Sequence, residues 1–121
     1  MTISVLLVED SEIVRNAIAG LLKRDPEIQV VAEASSLVQT TQLLSYLRPK
    51  IVLMDIHLGD ENKVTSSDIK SRLNGSSLLA ISFWKDNVTK ALAYNYGAVE
   101  FVDKAKLAHE LIPAIKRCAK E

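Results

Sequence analysis

Five short apolar runs punctuate the chain, and between them apolar residues recur at helical rather than alternating spacing. Residues 3–8, "ISVLLV", form the first run, of strand length. After "EDSE", Val14, Ala17, Ile18, Leu21 and Leu22 fall on one helical face, and "RDPE" closes it because proline disfavours continuation. "IQVVAEA" from Ile28 predicts a second strand. Ser36 can cap a helix whose apolar face is Leu37, Thr40, Leu43, Leu44 and Leu47, ended by "RPK". A third strand over 51–54 follows, then a polar stretch with a thin helical face, Val64, Ile69 and Leu73. "LNGSS" predicts a turn, 78–81 a fourth strand, and "DNVTKALAYNYG" a helix that ends at Gly97. Residues 99–102 make a fifth strand, and 107–119 a last helix with Leu111, Ile112, Ile115 and Cys118 inward.

The strands are apolar at nearly every position, as strands buried on both faces require. Five β–α units in 121 residues predict an α/β fold, a doubly wound parallel sheet with helices on both faces. No repeat or linker interrupts the pattern, so a single domain over 1–121 is expected. In such sheets ligands gather beyond the carboxyl ends of the strands, where the winding reverses.

The polar residues just after each strand therefore carry the functional information. They are Glu9 and Asp10, then Glu33, Asp55, Ser82, and finally Asp103 and Lys104. If the first and third strands are neighbours, Glu9, Asp10 and Asp55 converge at one edge. Three carboxylates in one place repel one another unless a cation joins them. Oxygen ligands without a histidine or cysteine cluster favour Mg²⁺ with retained waters over zinc. Ser82 and Lys104 then offer a hydroxyl and a positive charge to an anion. Such a set suits phosphoryl chemistry, with Asp55 as the candidate acceptor.

Composition narrows the field. Fifteen basic residues balance fifteen acidic ones, so total charge favours neither nucleic acid nor an acidic membrane as a partner. The single cysteine, Cys118, excludes an internal disulfide and suits a reducing compartment. The N-terminal run lacks a basic n-region, and no stretch approaches the roughly 20 apolar residues of a membrane span. A cytoplasmic location is expected.

These landmarks resemble the receiver domains of two-component response regulators. "LLVED", "IVLMDIHL", "AISF" and "FVDK" occur in the family's order, with 45 residues from Asp10 to Asp55, 27 to Ser82 and 22 to Lys104. The resemblance implies a flavodoxin-like sheet in the order 2-1-3-4-5. It implies that Asp55 is the phosphoacceptor, that Asp10 binds Mg²⁺ directly and Glu9 through water, and that the backbone carbonyl of His57 adds a further metal oxygen. It gives Lys104 and Ser82 contacts to the phosphoryl group, and makes Ser82 and Phe101 the switch residues. A sensor histidine kinase or phosphotransfer protein would supply the phosphoryl group. The fourth and fifth helices and the strand between them would change surface and recruit a downstream protein or a C-terminal output domain. The chain would be no enzyme beyond slow self-phosphorylation and dephosphorylation. A homodimer is among the candidate assemblies.

"VLLVEDSEIVRNAIAGLL", "DPEIQVVAEAS" and Ala105, where many receivers have proline, look like the nitrate-response, LuxR-type group. Members of that group normally carry a C-terminal helix-turn-helix, and none is expected within 1–121. Gly59 and Lys63 stand where the family usually has proline and glycine, and the bulky pair Phe83-Trp84 follows Ser82. Those departures motivate an alternative, a receiver-fold binding module that does not switch by phosphorylation.

Overall fold

A computed structural model describes residues 2–120. The ends of the expected 1–121 span, Met1 and Glu121, lie outside the described residues. The elements are β1 (Ile3–Val8), α1 (Glu12–Leu22), β2 (Ile28–Ala34), α2 (Leu37–Leu44), β3 (Ile51–Asp55), α3 (Ser66–Arg72), β4 (Ser77–Ser82), α4 (Asn87–Asn95), β5 (Ala98–Asp103) and α5 (Leu107–Ala119). A 3-10 turn, Lys104–Lys106, joins β5 to α5. All four strand pairings are parallel, as the apolar strand pattern predicts, and the order is β2-β1-β3-β4-β5, the one the family resemblance implies.

Successive strand residues point to opposite faces, so each apolar strand feeds two cores. On one face Leu6, Val8, Val52, Met54, Leu78 and Ala80 pack with Leu37 and Leu44 of α2, Ile69 of α3 and Ala93 of α4. On the other, Val5, Leu7, Ile51, Leu53, Leu79 and Ile81 pack with Ile18 and Leu22 of α1 and Leu111, Ile115 and Cys118 of α5. Every residue of β3 is buried, which explains its unbroken apolar sequence up to Asp55. Each large aliphatic side chain so buried is worth about 1.5–3 kcal/mol.

Local signals explain most boundaries. Ser11, Ser36, Thr65 and Asp86 cap α1, α2, α3 and α4 by accepting a backbone N–H from within the first turn. Gly97 follows α4 at φ +92°, the left-handed conformation that favours glycine. A Cβ there would also meet Leu73 and Lys70 side-chain carbons at 3.2 Å.

Two expectations need correction. Ala17 is exposed and Ala19 is buried instead, because the stripe facing the sheet runs through Ile18, Ala19 and Leu22. The second helix stops at Leu44 and does not carry Leu47 on its face. Ser45, Tyr46 and Leu47 instead donate to Gln42 and Leu43 carbonyls in a closing turn. Among the described residues, no helix is long and apolar enough to cross a membrane.

Candidate functional site

The register brings the carboxyl ends of β1, β3, β4 and β5 to one edge. Val8 pairs with Met54, Asp55 with Ile81, and Ser82 with Asp103. The residues that end these strands or follow them, Glu9, Asp10, Asp55, Ser82 and Lys104, therefore surround the junction between β1 and β3.

Glu9, the residue after β1, is 1% exposed, whereas Asp10 is exposed. The Glu9 backbone N–H donates to the Ala34 carbonyl at 3.0 Å. Its carboxylate accepts from the Ser11 N–H at 3.1 Å. Arg15, one turn into α1, donates from Nη1 to the Glu9 carbonyl at 2.9 Å and from Nε to Glu33 Oε1 at 3.2 Å. Asp55 is 6% exposed, and its Oδ1 accepts from the His57 N–H at 3.0 Å.

Lys104 joins these acids. Its Nζ donates to Glu9 Oε1 at 2.5 Å and to Asp55 Oδ2 at 3.0 Å. Oxygens of Glu9, Asp10 and Asp55 lie within 4.8 Å of one another. Burial pulls the Lys104 ammonium down, but hydrogen bonds and charge from Glu9 and Asp55 outweigh it, so its pKa is raised. Glu9 is also pushed up, by burial first and then by Asp10 and Asp55, against the pull of Lys104 and the Ser11 amide. The first shift favours the ion pair and the second opposes it. One ammonium among three carboxylates leaves the cluster short of positive charge, and Lys104, held by two of those carboxylates, keeps its proton. An all-oxygen cluster with unbalanced negative charge fits a hard divalent cation such as Mg²⁺.

The remaining candidates stand around this cluster. Ser82 is 1% exposed, and its Oγ accepts from the Trp84 N–H at 3.0 Å. His57 is exposed, and its ring meets Trp84 edge-on, with centroids 5.4 Å apart and planes at 81°. The Phe83 ring lies 5.6 Å from Lys104 Nζ, within cation–π range. The bulky pair thus occupies the rim, Phe83 against the lysine and Trp84 against His57. Phe101 is not drawn into the carboxylate cluster. It is half-buried on β5, packs on the core shared with α4, and lines a cavity of about 420 Å³ with Tyr94, Lys106 and Glu110.

Three contributors carry no signal in the sequence. Arg15 occupies an ordinary polar position of α1. Asp60, in the loop after β3, accepts from the Leu37 and Val38 N–H groups at 3.0 and 3.1 Å and so ties that loop to the start of α2. Lys85 pairs with Asp103 at 3.0 Å and connects the loop after β4 to the end of β5.

Residues 5–116 match the family described as the response regulator receiver domain. The chain is 31% identical over 115 residues to the DNA-binding transcriptional activator DevR/DosR of Mycobacterium tuberculosis, which covers 94% of this chain and 53% of that protein. It is 29% identical over 119 residues to the transcriptional regulatory protein LiaR of Bacillus subtilis, covering 98% and 56% respectively. The chain therefore spans about half the length of these two relatives. A LuxR-family two-component response regulator from an Aurantimonas species superposes with a TM-score of 0.86 at 26% identity, over 99% of this chain and 86% of that one. The response regulator domain of Thermotoga maritima CheB shares the fold, with a TM-score of 0.85 at 22% identity over 100% and 98% of the two chains.

Proposed function

The chain belongs to the receiver domains of two-component response regulators, and on that premise we propose that it accepts a phosphoryl group on Asp55 and switches its α4–β5–α5 surface in response. One observation carries this reading. Lys104 bridges Asp55 and the buried Glu9 beside Asp10, which leaves a carboxylate at a strand end with a fixed cation at hand.

In the proposed step an Asp55 carboxylate oxygen attacks phosphorus of a phosphohistidine on a sensor kinase or phosphotransfer protein. The P–N bond breaks, its electron pair stays on the imidazole nitrogen, and an acyl phosphate remains on Asp55. Lys104, hydrogen-bonded to Asp55 Oδ2, is placed to pass its N–H to a phosphoryl oxygen. Ser82, one strand away, can donate its hydroxyl to a phosphoryl oxygen, because accepting from the Trp84 N–H does not occupy its O–H. Asp10 would hold Mg²⁺ directly, with Glu9 acting through water and Asp55 and the His57 carbonyl completing the protein oxygens. When bound, the ion supplies positive charge against the acids and the incoming phosphoryl oxygens. Hydrolysis of the acyl phosphate by water returns the carboxylate, so the chain resets itself slowly and is a switch rather than an enzyme.

The phosphoryl group shifts a two-state equilibrium by as much as it prefers one loop arrangement to the other. Phe101 and the cavity beside it lie on the side of β5 where that change would be read. The output is a downstream protein or a DNA-binding module, the latter in line with the similarity to the DNA-binding transcriptional activator DevR/DosR.

Incubation with acetyl phosphate and Mg²⁺, followed by mass spectrometry, tests the proposal. The wild type is expected to gain one phosphoryl mass and Asp55→Asn none. Equal labelling of the two proteins would sink the assignment. No labelling of either would leave the binding-module alternative.

A further inference from the structure

Glu33 stands at a strand end with the other polar candidates, yet neither acceptor nor cation chemistry uses it. Its carboxylate holds Arg15 Nε, and Nη1 of the same guanidinium holds the Glu9 carbonyl. The Arg15 side chain is only 19% exposed, so the contact is partly shielded from water. We propose that Arg15 is a positioning residue for the acid pair. Glu33 fixes the guanidinium, and the guanidinium fixes the peptide that joins Glu9 to Asp10. This proposal rests on the reading of Glu9, Asp10 and Asp55 as the cation site.

Every polar group of Glu9 has a partner. Its N–H bonds Ala34, its carboxylate bonds Lys104 and the Ser11 N–H, and its carbonyl accepts from Arg15. Asp10 follows and is exposed, so packing does not lock it. The direction of its carboxylate is set by the backbone on either side. On the far side Ser11 is committed to capping α1 through the Val14 N–H at 3.3 Å. On the near side the hold is Arg15. Without it, the peptide plane between Glu9 and Asp10 can turn, and a metal ligand turned away is a ligand lost. A planar fork can serve the Glu33 carboxylate and a backbone carbonyl together, which the single ammonium of lysine does less well.

Charge and position make opposite predictions. Arg15 is a cation near the acids, so on charge alone its removal would tighten Mg²⁺ binding. Positioning predicts weaker binding. Arg15→Gln is therefore expected to weaken Mg²⁺ binding in titration calorimetry by about tenfold, the scale of residues that orient metal ligands. Arg15→Lys, which keeps the charge and loses the fork, should weaken it several-fold, and Glu33→Gln by less. Amide exchange at Asp10 and Ser11 should quicken in Arg15→Gln, with the melting temperature confirming a folded chain. Unchanged or tighter binding by Arg15→Gln, or wild-type binding by Arg15→Lys, would overturn the proposal. If Arg15→Gln does not fold, Arg15→Lys and Glu33→Gln carry the same comparison. If the wild type itself binds no Mg²⁺, the cation reading fails, and exchange alone decides the positioning claim. Unchanged exchange at Asp10 and Ser11 would then overturn it.

Discussion

Lys104 Nζ stands 3.0 Å from Asp55 Oδ2, although the two residues are 49 apart in sequence. The same ammonium holds Glu9, so one cation is divided between two buried carboxylates. A metal ion recruited by those acids and the lysine would draw on the same negative charge, and the two should compete.

Lys104→Met separates these roles. In metal-free buffer it leaves two buried acids without their cation, at an expected cost of roughly 1–3 kcal/mol. The emptied carboxylates should then bind Mg²⁺ several-fold more tightly, so Mg²⁺ restores more stability to the variant than to the wild type. Urea unfolding with and without Mg²⁺ measures both effects. Equal gains from Mg²⁺ in the two proteins would show that lysine and metal do not share the acids.

Within the acid pair, Asp10 should dominate metal affinity. Glu9 is buried and committed to Lys104 and Ser11, whereas Asp10 is exposed beside it. Asp10→Asn is expected to weaken Mg²⁺ binding by about tenfold or more, and Glu9→Gln by less. The reverse order in calorimetry would mean that the buried acid is the direct ligand.

Much of this site was legible because parallel strands put all their carboxyl ends on one edge. Five β–α units put Glu9, Asp55 and Lys104 on that edge, and the strand order that the resemblance implies makes the first and third strands neighbours. Apolar runs located the strands for the same reason, since both faces of β3 are covered. What stayed hidden was polar and long-range. Asp60 meets α2 across 22 and 23 residues, and Arg15 meets Glu33 across 18, with no periodic signal to announce either. The pattern puts Ala17 on the apolar face and the structure leaves it exposed, because alanine adds little to either face of a helix.

The altered loop after β3 depends on Asp60. Its carboxylate satisfies two N–H groups at the start of α2, which the helix itself cannot pair. Asp60→Ala should cost about 1–2 kcal/mol, as loss of a helix cap does. Gly59→Ala should add about 1 kcal/mol more, because Gly59 sits at φ +92° with open space around it, so the penalty is in the backbone alone. Denaturant midpoints of the two single variants and the double test this. A much smaller loss for Asp60→Ala would mean that the loop is held elsewhere.

Tyr96 makes stability sensitive to alkali. It is 1% exposed, and its phenol is pushed up to about 12 by burial and then by the charges of Glu61 and Asp60. The folded chain therefore keeps the proton that the unfolded chain releases near its ordinary value. The stability tied to this proton is complete below pH ~10 and is lost as pH rises toward 12, by roughly 2–3 kcal/mol in all. Urea midpoints at several alkaline pH values should fall more steeply for the wild type than for Tyr96→Phe. Parallel curves would remove Tyr96 as the cause.

Trp84, the sole tryptophan, is placed to test the proposed switch. Its backbone N–H bonds Ser82 Oγ at 3.0 Å, and its ring lies edge-on to His57, two residues from Asp55. A turn of Ser82 Oγ toward a phosphoryl group would change the bond it accepts from the Trp84 backbone N–H, and the indole on that residue should sense the change. Mg²⁺ should alter its emission through charge alone. A beryllofluoride mimic of the phosphoryl group should alter it further, and only when Asp55 is intact. The second step discriminates, because it requires motion of the loop after β4 rather than a nearby ion. Ser82→Ala should keep the Mg²⁺ response and lose most of the second. If fluorine NMR shows beryllofluoride bound while Trp84 emission and the amide signals around Ser82 and Phe101 stay unchanged, the chain accepts the group without moving its output face. The binding-module alternative would then describe it better.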